Sequence, residues 1–216
     1  MSKKIIKNAI SVYIQEEKSD YAVMLNGAWG SGKTYFVKNE LIDYLQEEFN
    51  RKILYISLFG ISNIDELYNN IALQVLNIKA TETLDQKIKM NNPSYNDSNK
   101  KTIFERSKIS LWTGILNKGL KIIPDNNVIN SVVSEVNKNI ISFNKYIFVF
   151  DDLERSTLKF DVLLGFFDQI TDQNEIKAIL ICNESKINNE YYKEFKEKVI
   201  GLTIDYKSDI NKDFDS

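Results

Sequence analysis

The chain has 216 residues, of which 43% are hydrophobic and 27% charged, and these values are typical of one globular domain or of a domain with a long insertion. It contains no histidine, which excludes catalysis or metal binding by imidazole, and its one cysteine, Cys182, excludes an internal disulfide and a cysteine-built metal site. A formal net charge of −2 does not indicate a strongly basic ligand of nucleic acids or membranes.

The first eighteen residues predict an amphipathic helix over 3–18. Apolar residues between Ile5 and Ile14 recur at helical spacing, and the segment lacks the long apolar core and the small-residue cleavage site of a signal peptide. No stretch approaches the roughly 18 consecutive apolar residues that a membrane-spanning helix needs. Together with the single cysteine, these features predict a cytoplasmic protein.

From Tyr21 onward the chain alternates apolar strands with helices. Five buried strands are predicted, at 21–26, 53–58, 146–150, 177–182 and 201–206. Helices are predicted between them, at 33–49, 65–76, 158–171 and 188–198, the second of them opening on a capping box of Ser62 and Asp65. Because parallel strands are joined by crossovers, this order predicts a three-layer α/β fold with a mainly parallel five-stranded sheet.

Residues 78–140 interrupt the alternation and are predicted to be an insertion. Residues 78–102 are polar and rich in asparagine and serine, which predicts a flexible segment, and the following residues predict two helices around a break at Pro124. The predicted organisation is therefore a single domain over 1–216, with this insertion and a tail at 207–216.

Residues 27–34, Gly-Ala-Trp-Gly-Ser-Gly-Lys-Thr, match the phosphate-binding pattern G-x-x-x-x-G-K-[ST] between a predicted strand and a predicted helix. Glycines let backbone N–H groups converge on phosphates, and the helix adds a partial positive charge. Lys33 would reach the β- and γ-phosphates of ATP, and the Thr34 hydroxyl would ligate Mg²⁺. The predicted nucleotide-binding residues are Gly27, Ala28, Trp29, Gly30, Ser31, Gly32, Lys33, Thr34 and Tyr35. The alternative is a glycine-rich turn with an exposed lysine.

The strand at 146–150 ends in Asp151, whose carboxylate would hold Mg²⁺ through water, because this hard cation prefers oxygen ligands and keeps most of its hydration shell. Asp152 and Glu154 are the two candidates for the catalytic base that orients the attacking water. Adjacency to the metal ligand favours Asp152. A solvated turn is the alternative interpretation of Glu154 and Arg155.

Asn183 follows the strand at 177–182, at the carboxyl edge where parallel sheets bind their ligands. This position predicts a hydrogen bond from the amide to the γ-phosphate or to the attacking water. A strand-end asparagine is more often a turn residue, and that alternative stays open. The neighbouring Cys182 is predicted to lie in the core.

These three motifs resemble the KAP family of P-loop NTPases, relatives of the AAA+ and STAND groups. The resemblance rests on the tryptophan-bearing loop at 27–34, on Asp-Asp-Leu-Glu-Arg at 151–155, similar to the family's Asp-Asp-Leu-Asp-Arg, and on Asn183 at the sensor-1 place. It implies a sheet order of 5-1-4-3-2, which directs Asn183 toward the γ-phosphate, and ATP hydrolysis coupled to a conformational change. For bacterial members it also implies oligomerisation and a link to phage exclusion or other defence.

The chain departs from the family in two places. Members often carry transmembrane helices between the phosphate-binding motif and the acidic motif. In this chain residues 78–140 occupy that place and show no spanning segment, which predicts a soluble branch. Members also continue past the fifth strand into a helical lid with a second sensor, whereas this chain ends ten residues after Tyr206. We expect either a truncated ATPase core or one half of a split system.

Three functions remain open from the residues. The first is a Mg²⁺-dependent ATPase, the second a nucleotide-gated module that binds a protein partner and hydrolyses little ATP, and the third a small-molecule kinase without a recognisable acceptor site. The apolar segment 111–116, beside Lys118 and Lys121, suggests a less favoured peripheral membrane contact, because such stripes usually pack in a core. No basic-aromatic module indicates nucleic-acid binding, and the motifs do not distinguish ATP from GTP.

Overall fold

The computed structural model describes residues 2–75, 78, 146–173 and 176–207. The chain forms two compact units, Met1–Tyr68 with Asn137–Ser216, and Asn69–Val136. In the second unit the described residues, 69–75 and 78, are helical. The predicted insertion at 78–140 and the tail at 207–216 lie outside the described residues except for residues 78 and 207, so the predicted domain boundaries stay predictions.

Five parallel strands form one sheet in the described part of the chain. They are β1 (Ala22–Asn26), β2 (Lys52–Ser57), β3 (Tyr146–Asp151), β4 (Lys177–Cys182) and β5 (Ile200–Asp205). Their order is β2-β3-β4-β1-β5, which read from the other edge is 5-1-4-3-2, so the expected α/β fold and sheet order are confirmed. Since β4 lies between β1 and β3, the residues that follow these three strands emerge side by side.

Helices cover both faces of this sheet. The helices of the described ranges are α1 (Lys3–Gln15), α2 (Lys33–Phe36), α3 (Ile42–Phe49), α4 (64–75), α5 (Phe160–Asp168) and α6 (Tyr192–Val199). A π-helical turn, Val37–Leu41, joins α2 to α3, so the helix after the phosphate loop is continuous. A second π-helical turn, Gln169–Gln173, extends α5.

Several helix ends differ from the sequence predictions, among them the start of α5, which lies at Phe160 rather than at residue 158. Helix α1 ends at Gln15, because Glu16 leaves the helical conformation at ψ 128° and its carboxylate accepts a hydrogen bond from the Tyr21 hydroxyl. Helix α6 begins at Tyr192, later than predicted, because the Asn189 side chain accepts the Tyr191 N–H in a turn.

The capping box of α4 is displaced by one residue from the predicted pair. Asn63 Oδ1 accepts the backbone N–H of Glu66 at 2.9 Å, and the Glu66 carboxylate accepts the backbone N–H of Ser62 at 2.8 Å. The hydrogen bonds that the Ser62 backbone N–H and hydroxyl donate to the Glu66 carboxylate lower the pKa of Glu66, because they favour its charged form. The predicted partner, Asp65, was therefore wrong, since asparagine competes with serine for the cap position.

One face of the sheet packs against α1 and the α2–α3 helix. Their buried side chains join strand residues of that face in one hydrophobic cluster, which includes Ile6, Ile10, Phe36, Leu45, Val23, Leu25, Val149 and Ile179. Alternate strand residues point to the other face, where Phe150 packs edge-on against Phe166 and Phe167 of α5. Both central strands β3 and β4 are buried along their whole length, as expected for a parallel sheet covered on both sides.

Within the residues described, no helix combines the length and the apolar character that crossing a bilayer requires.

Candidate functional site

The segment from Gly27 to Thr34 connects β1 to α2, as the motif requires. Gly32 adopts a φ of +86°, a conformation that L side chains rarely adopt, immediately before the helix begins. Gly27 is constrained by space instead, because a Cβ atom there would lie 2.8 Å from the carbonyl oxygen of Tyr206. Both glycines are therefore needed for the course of this loop.

Lys33 is buried at the base of the loop, with 8% of its surface exposed. Its Nζ donates to the carbonyl oxygens of Gly27, at 2.5 Å, and Ala28, at 2.9 Å. Burial lowers the pKa of Lys33, and the opposing charge with the largest effect is that of Glu154. The ammonium group is thus folded onto its own loop, where a phosphate can replace the two carbonyls as its partner.

The loop contacts the acid-ended strand through Thr34. Its Oγ1 donates to Asp151 Oδ2 at 2.9 Å, and Asp151 is 4% exposed. The Tyr55 hydroxyl donates to the same oxygen, and the backbone N–H of Asp152 donates to Oδ1 at 2.8 Å. The structure therefore brings the two predicted metal ligands into direct contact and fixes the carboxylate between three donors.

Tyr55 is a site residue that the sequence analysis missed. It lies on β2, which pairs in parallel with β3 and places Ser57 beside Asp151 in the register. Burial, followed by the charge of Asp151, raises the pKa of Tyr55, so the phenol stays a hydrogen-bond donor. A tyrosine two residues before the end of a neighbouring strand was the available signal, and strand order was needed to use it.

Two buried side-chain oxygens in the described residues have no hydrogen-bond partner, Ser31 Oγ and Glu154 Oε2. Leaving such an atom unpaired costs roughly 1–3 kcal/mol, and native proteins rarely do so without a reason. A phosphate oxygen can accept from Ser31, and a water can donate to Glu154. With the hydroxyl of Thr34 and the carboxylate of Asp151, both hard oxygen donors, the residues present fit a nucleotide with Mg²⁺.

Asp152 follows Asp151 in the left-handed region, with a φ of +61°. Its Oδ2 accepts from Ser57 Oγ at 3.0 Å, and its Oδ1 lies 3.7 Å from Nη1 of Arg155. The favoured base candidate therefore has both carboxylate oxygens in contact with neighbouring side chains.

Glu154 lies on the short 3₁₀ turn Leu153–Arg155 and reaches the phosphate loop. Its Oε1 accepts the indole N–H of Trp29 at 2.5 Å. The solvated-turn interpretation does not describe this side chain, because it joins the acidic motif to the loop motif. The partner, Trp29, is 58% exposed. The charged groups of Lys186 and Arg155 lie over its ring, 5.6 and 6.0 Å from the ring centroid.

Asn183 lies at the end of β4, between the strands that lead to the phosphate loop and to Asp151, and is 4% exposed. Its Oδ1 accepts from Ser185 Oγ at 2.7 Å. The next residue is held by Asn26, whose Oδ1 accepts the Glu184 N–H at 3.0 Å while its Nδ2 donates to Asp205. Asn26 is thus a second residue that the sequence analysis missed. The role of Asn183 toward a nucleotide stays a prediction.

The remaining loop residues take different positions. The Tyr35 side chain is largely exposed, Gly30 lies in the exposed turn of the loop at a φ of +75°, and the Ala28 carbonyl accepts from Lys33. Nucleotide contact by these three residues stays a prediction.

Comparison with known proteins identifies the family. No curated protein matches this chain. A solved structure of Cdc6p from Pyrobaculum aerophilum is similar over 94% of this chain, with 13% sequence identity and a TM-score of 0.47, and this chain spans 44% of that one. No functional argument follows from a likeness at that level. The model of the KAP family P-loop domain matches residues 3–216, and the chain therefore belongs to the KAP family of P-loop NTPases.

Proposed function

We propose that this chain binds ATP with Mg²⁺ and hydrolyses it to ADP and phosphate to drive a conformational switch. The observation that carries the proposal is the 2.9 Å hydrogen bond from Thr34 to Asp151, residues 117 positions apart in the sequence. This bond joins the end of the phosphate-binding motif to the acidic strand end, the two parts that P-loop NTPases combine around Mg²⁺.

The loop and Lys33 bind the phosphates. Lys33 exchanges its contacts with the Gly27 and Ala28 carbonyls for the β- and γ-phosphates, because a charged acceptor forms the stronger hydrogen bond. The backbone N–H groups of the loop and the start of α2 add positive partial charge. Ser31 Oγ, which has no partner among the described residues, donates to a phosphate oxygen.

Thr34 and Asp151 hold the metal ion. When bound, Mg²⁺ offsets the negative charge that develops on the transferred phosphoryl group. Tyr55 and the backbone N–H of Asp152 keep the Asp151 carboxylate in place, so the ligand needs little rearrangement when the metal arrives. Asn183 is proposed to orient the γ-phosphate or the attacking water from the neighbouring strand end.

Steady-state release of phosphate tests this proposal. We expect wild-type protein to release phosphate from Mg²⁺-ATP, Asp151→Asn and Lys33→Ala to lose that activity, and Lys193→Ala, which changes an exposed lysine on α6, to retain it. The same assay with GTP determines the base specificity. Equal release by wild type and Lys33→Ala would place the reaction elsewhere.

A nucleotide-gated interaction module is the alternative function. The observation that favours it is the exposure of three aromatic side chains near the loop, Trp29, Tyr35 and Phe59. Exposed aromatic residues are enriched at protein interfaces, so this surface suits a protein partner or a second copy. Light scattering of the full chain with and without Mg²⁺-ATP tests for self-association, and turnover above the slow range of unassisted switches, about 10⁻⁴ to 10⁻² per second, counts against this alternative.

The proposed biological setting is bacterial defence against phage, in the cytoplasm, and the family resemblance supports it. Expression of wild type and of Lys33→Ala in a phage-challenged bacterial host is the test. Protection by wild type alone supports a defence role that needs the nucleotide, whereas equal plaque numbers with and without the protein contradict it.

A further inference from the structure

The indole of Trp29 connects the phosphate loop to the acidic motif. Its Nε1–H donates to Glu154 Oε1 at 2.5 Å, across 125 positions of sequence. Indole nitrogen is a donor only, and a carboxylate is its charged acceptor, so the direction of this bond is fixed. The bond therefore engages Oε1 and leaves the second carboxylate oxygen, Oε2, available for another donor.

Glu154 Oε2 is buried and has no hydrogen-bond partner among the described residues. The Glu154 carboxylate also interacts with Lys33. Burial lowers the pKa of Lys33, and among the charged groups that oppose this effect Glu154 contributes most. One oxygen held by an orienting group and the other buried without a partner is an arrangement that suits a positioned general base, which needs an acceptor atom left for a water.

Asp152, the other candidate for the base, has no carboxylate oxygen without a side-chain contact. Its Oδ2 accepts from Ser57 at 3.0 Å, and its Oδ1 faces the Arg155 guanidinium at 3.7 Å. The two carboxylates are thus distinguished by their contacts.

We propose that Glu154 accepts the proton of the attacking water and that Trp29 is a positioning residue that holds Glu154 through its indole N–H. The inference rests on the proposed hydrolysis of ATP. The water oxygen bonds to the γ-phosphorus, the bond from that phosphorus to the β–γ bridging oxygen breaks with its electron pair on ADP, and the water proton passes to Glu154 Oε2.

The surroundings of Trp29 restrict its ring. Lys186 lies 5.6 Å and Arg155 6.0 Å from the ring, and Arg155 also lies 4.4 Å from the ring of Phe59. Cations over an aromatic face attract it, so the ring is held although its edge is exposed to solvent. Trp29 is therefore oriented by these contacts although it is 58% exposed.

The first test observes the hydrogen bond itself in the full chain without nucleotide. The chain has two tryptophans, so a ¹⁵N-labelled sample gives two indole N–H peaks, and Trp112→Phe assigns them. We expect Glu154→Gln to move the Trp29 peak upfield, because a neutral acceptor forms the weaker bond. Glu190→Gln, an exposed glutamate, is the matched control and leaves the peak in place. An unmoved peak in Glu154→Gln overturns the positioning contact.

The second test separates positioning from a structural role by kinetics. Glu154→Gln is expected to lower kcat by about 10²–10⁴-fold. Trp29→Phe, which keeps a ring but removes the N–H, is expected to lower kcat by about 10–100-fold and to change KM for ATP little. Tyr191→Phe, an exposed aromatic outside the loop and acidic motifs, is the control and keeps wild-type kcat.

The double variant decides whether the two residues act as one unit. In the Glu154→Gln background Trp29→Phe is expected to cause no further loss of kcat, and independent, multiplicative losses overturn the proposal. If wild type hydrolyses ATP and Glu154→Gln has the same kcat, the assignment of Glu154 as the base is refuted while the proposed hydrolysis stands. A wild-type protein that does not turn over refutes the proposed hydrolysis and, with it, the base assignment, while the indole peak still reports whether the contact exists.

Discussion

Thr34 and Asp151 share a hydrogen bond of 2.9 Å, and the same Asp151 oxygen accepts a bond from the Tyr55 hydroxyl. Two elements that are far apart in the sequence, the start of α2 and the end of β3, are thus fastened at one carboxylate. The proposed magnesium ligand Asp151 is thus held by donors on α2, on β2 and in the turn after β3.

We expect removal of the Asp151 carboxylate to lower the stability of the fold as well as the proposed hydrolysis of ATP. In Asp151→Ala the donors of Thr34, Tyr55 and the Asp152 backbone lose their common acceptor, and we expect a loss of about 1–3 kcal/mol of stability, the usual penalty for orphaned buried polar groups. Asp151→Asn keeps an acceptor oxygen and is expected to lose less. Urea unfolding of both variants without nucleotide measures the difference, and equal stability of Asp151→Ala and wild type would contradict it.

Tyr55→Phe tests the outer contact of the same site. The variant removes only the hydroxyl that holds Asp151, and we expect the affinity for Mg²⁺ to fall by about 10–100-fold, the typical effect of losing a partner of a metal ligand. Calorimetric titration of Mg²⁺ into the protein with bound ADP measures this affinity. Tyr191→Phe serves as the control, and an unchanged Mg²⁺ affinity in Tyr55→Phe would separate the tyrosine from the metal site.

Two glycine substitutions are expected to act in opposite directions. A Cβ atom at Gly27 would lie 2.8 Å from the Tyr206 carbonyl oxygen, and we expect Gly27→Ala to destabilise the fold by about 1–3 kcal/mol through overpacking. A Cβ atom at Gly165, inside α5, meets nothing within 4 Å, and there alanine is expected to stabilise by roughly 0.5–1 kcal/mol. Thermal unfolding distinguishes the two, and a stable Gly27→Ala would mean that the loop is not pressed against Tyr206.

Cys182 predicts a specific dependence of stability on pH. Burial raises the pKa of this thiol from 9.0 to about 12, so the folded protein keeps its proton where the unfolded chain loses it. The stability that this group contributes is complete below pH 9 and is lost as the pH rises from 9 toward 12. Urea unfolding across this range should give a steeper decline for wild type than for Cys182→Ala. Parallel declines would show that the thiol is not shielded.

The apolar runs predicted the strands well because β3 and β4 are buried on both faces, so their sequences carry an uninterrupted hydrophobic signal. The strand order came from the family resemblance, since periodicity does not state which strands are neighbours. That order correctly placed Asn183 between the phosphate loop and Asp151.

Contacts that depend on register could not be predicted in the same way. Tyr55 reaches Asp151 only because β2 pairs in register with β3, and Trp29 meets Glu154 only because the turn after β3 brings the acid back to the loop. Neither partner is marked by a local pattern. The adjacency of Asp152 to Asp151 favoured it as the base, whereas its contacts with Ser57 and Arg155 depend on the tertiary fold.

The loop at 27–34 is proposed to hold the phosphates of a nucleotide through Lys33. Thermal unfolding of wild type and of Lys33→Ala, each with and without Mg²⁺-ATP, tests it most directly. Ligand at 100 times its Kd adds about 2.7 kcal/mol to the stability of a protein that binds it only when folded. We predict that Mg²⁺-ATP raises the melting temperature of wild type and leaves the melting temperature of Lys33→Ala unchanged. Equal shifts in both proteins, or no shift in wild type, would contradict the claim.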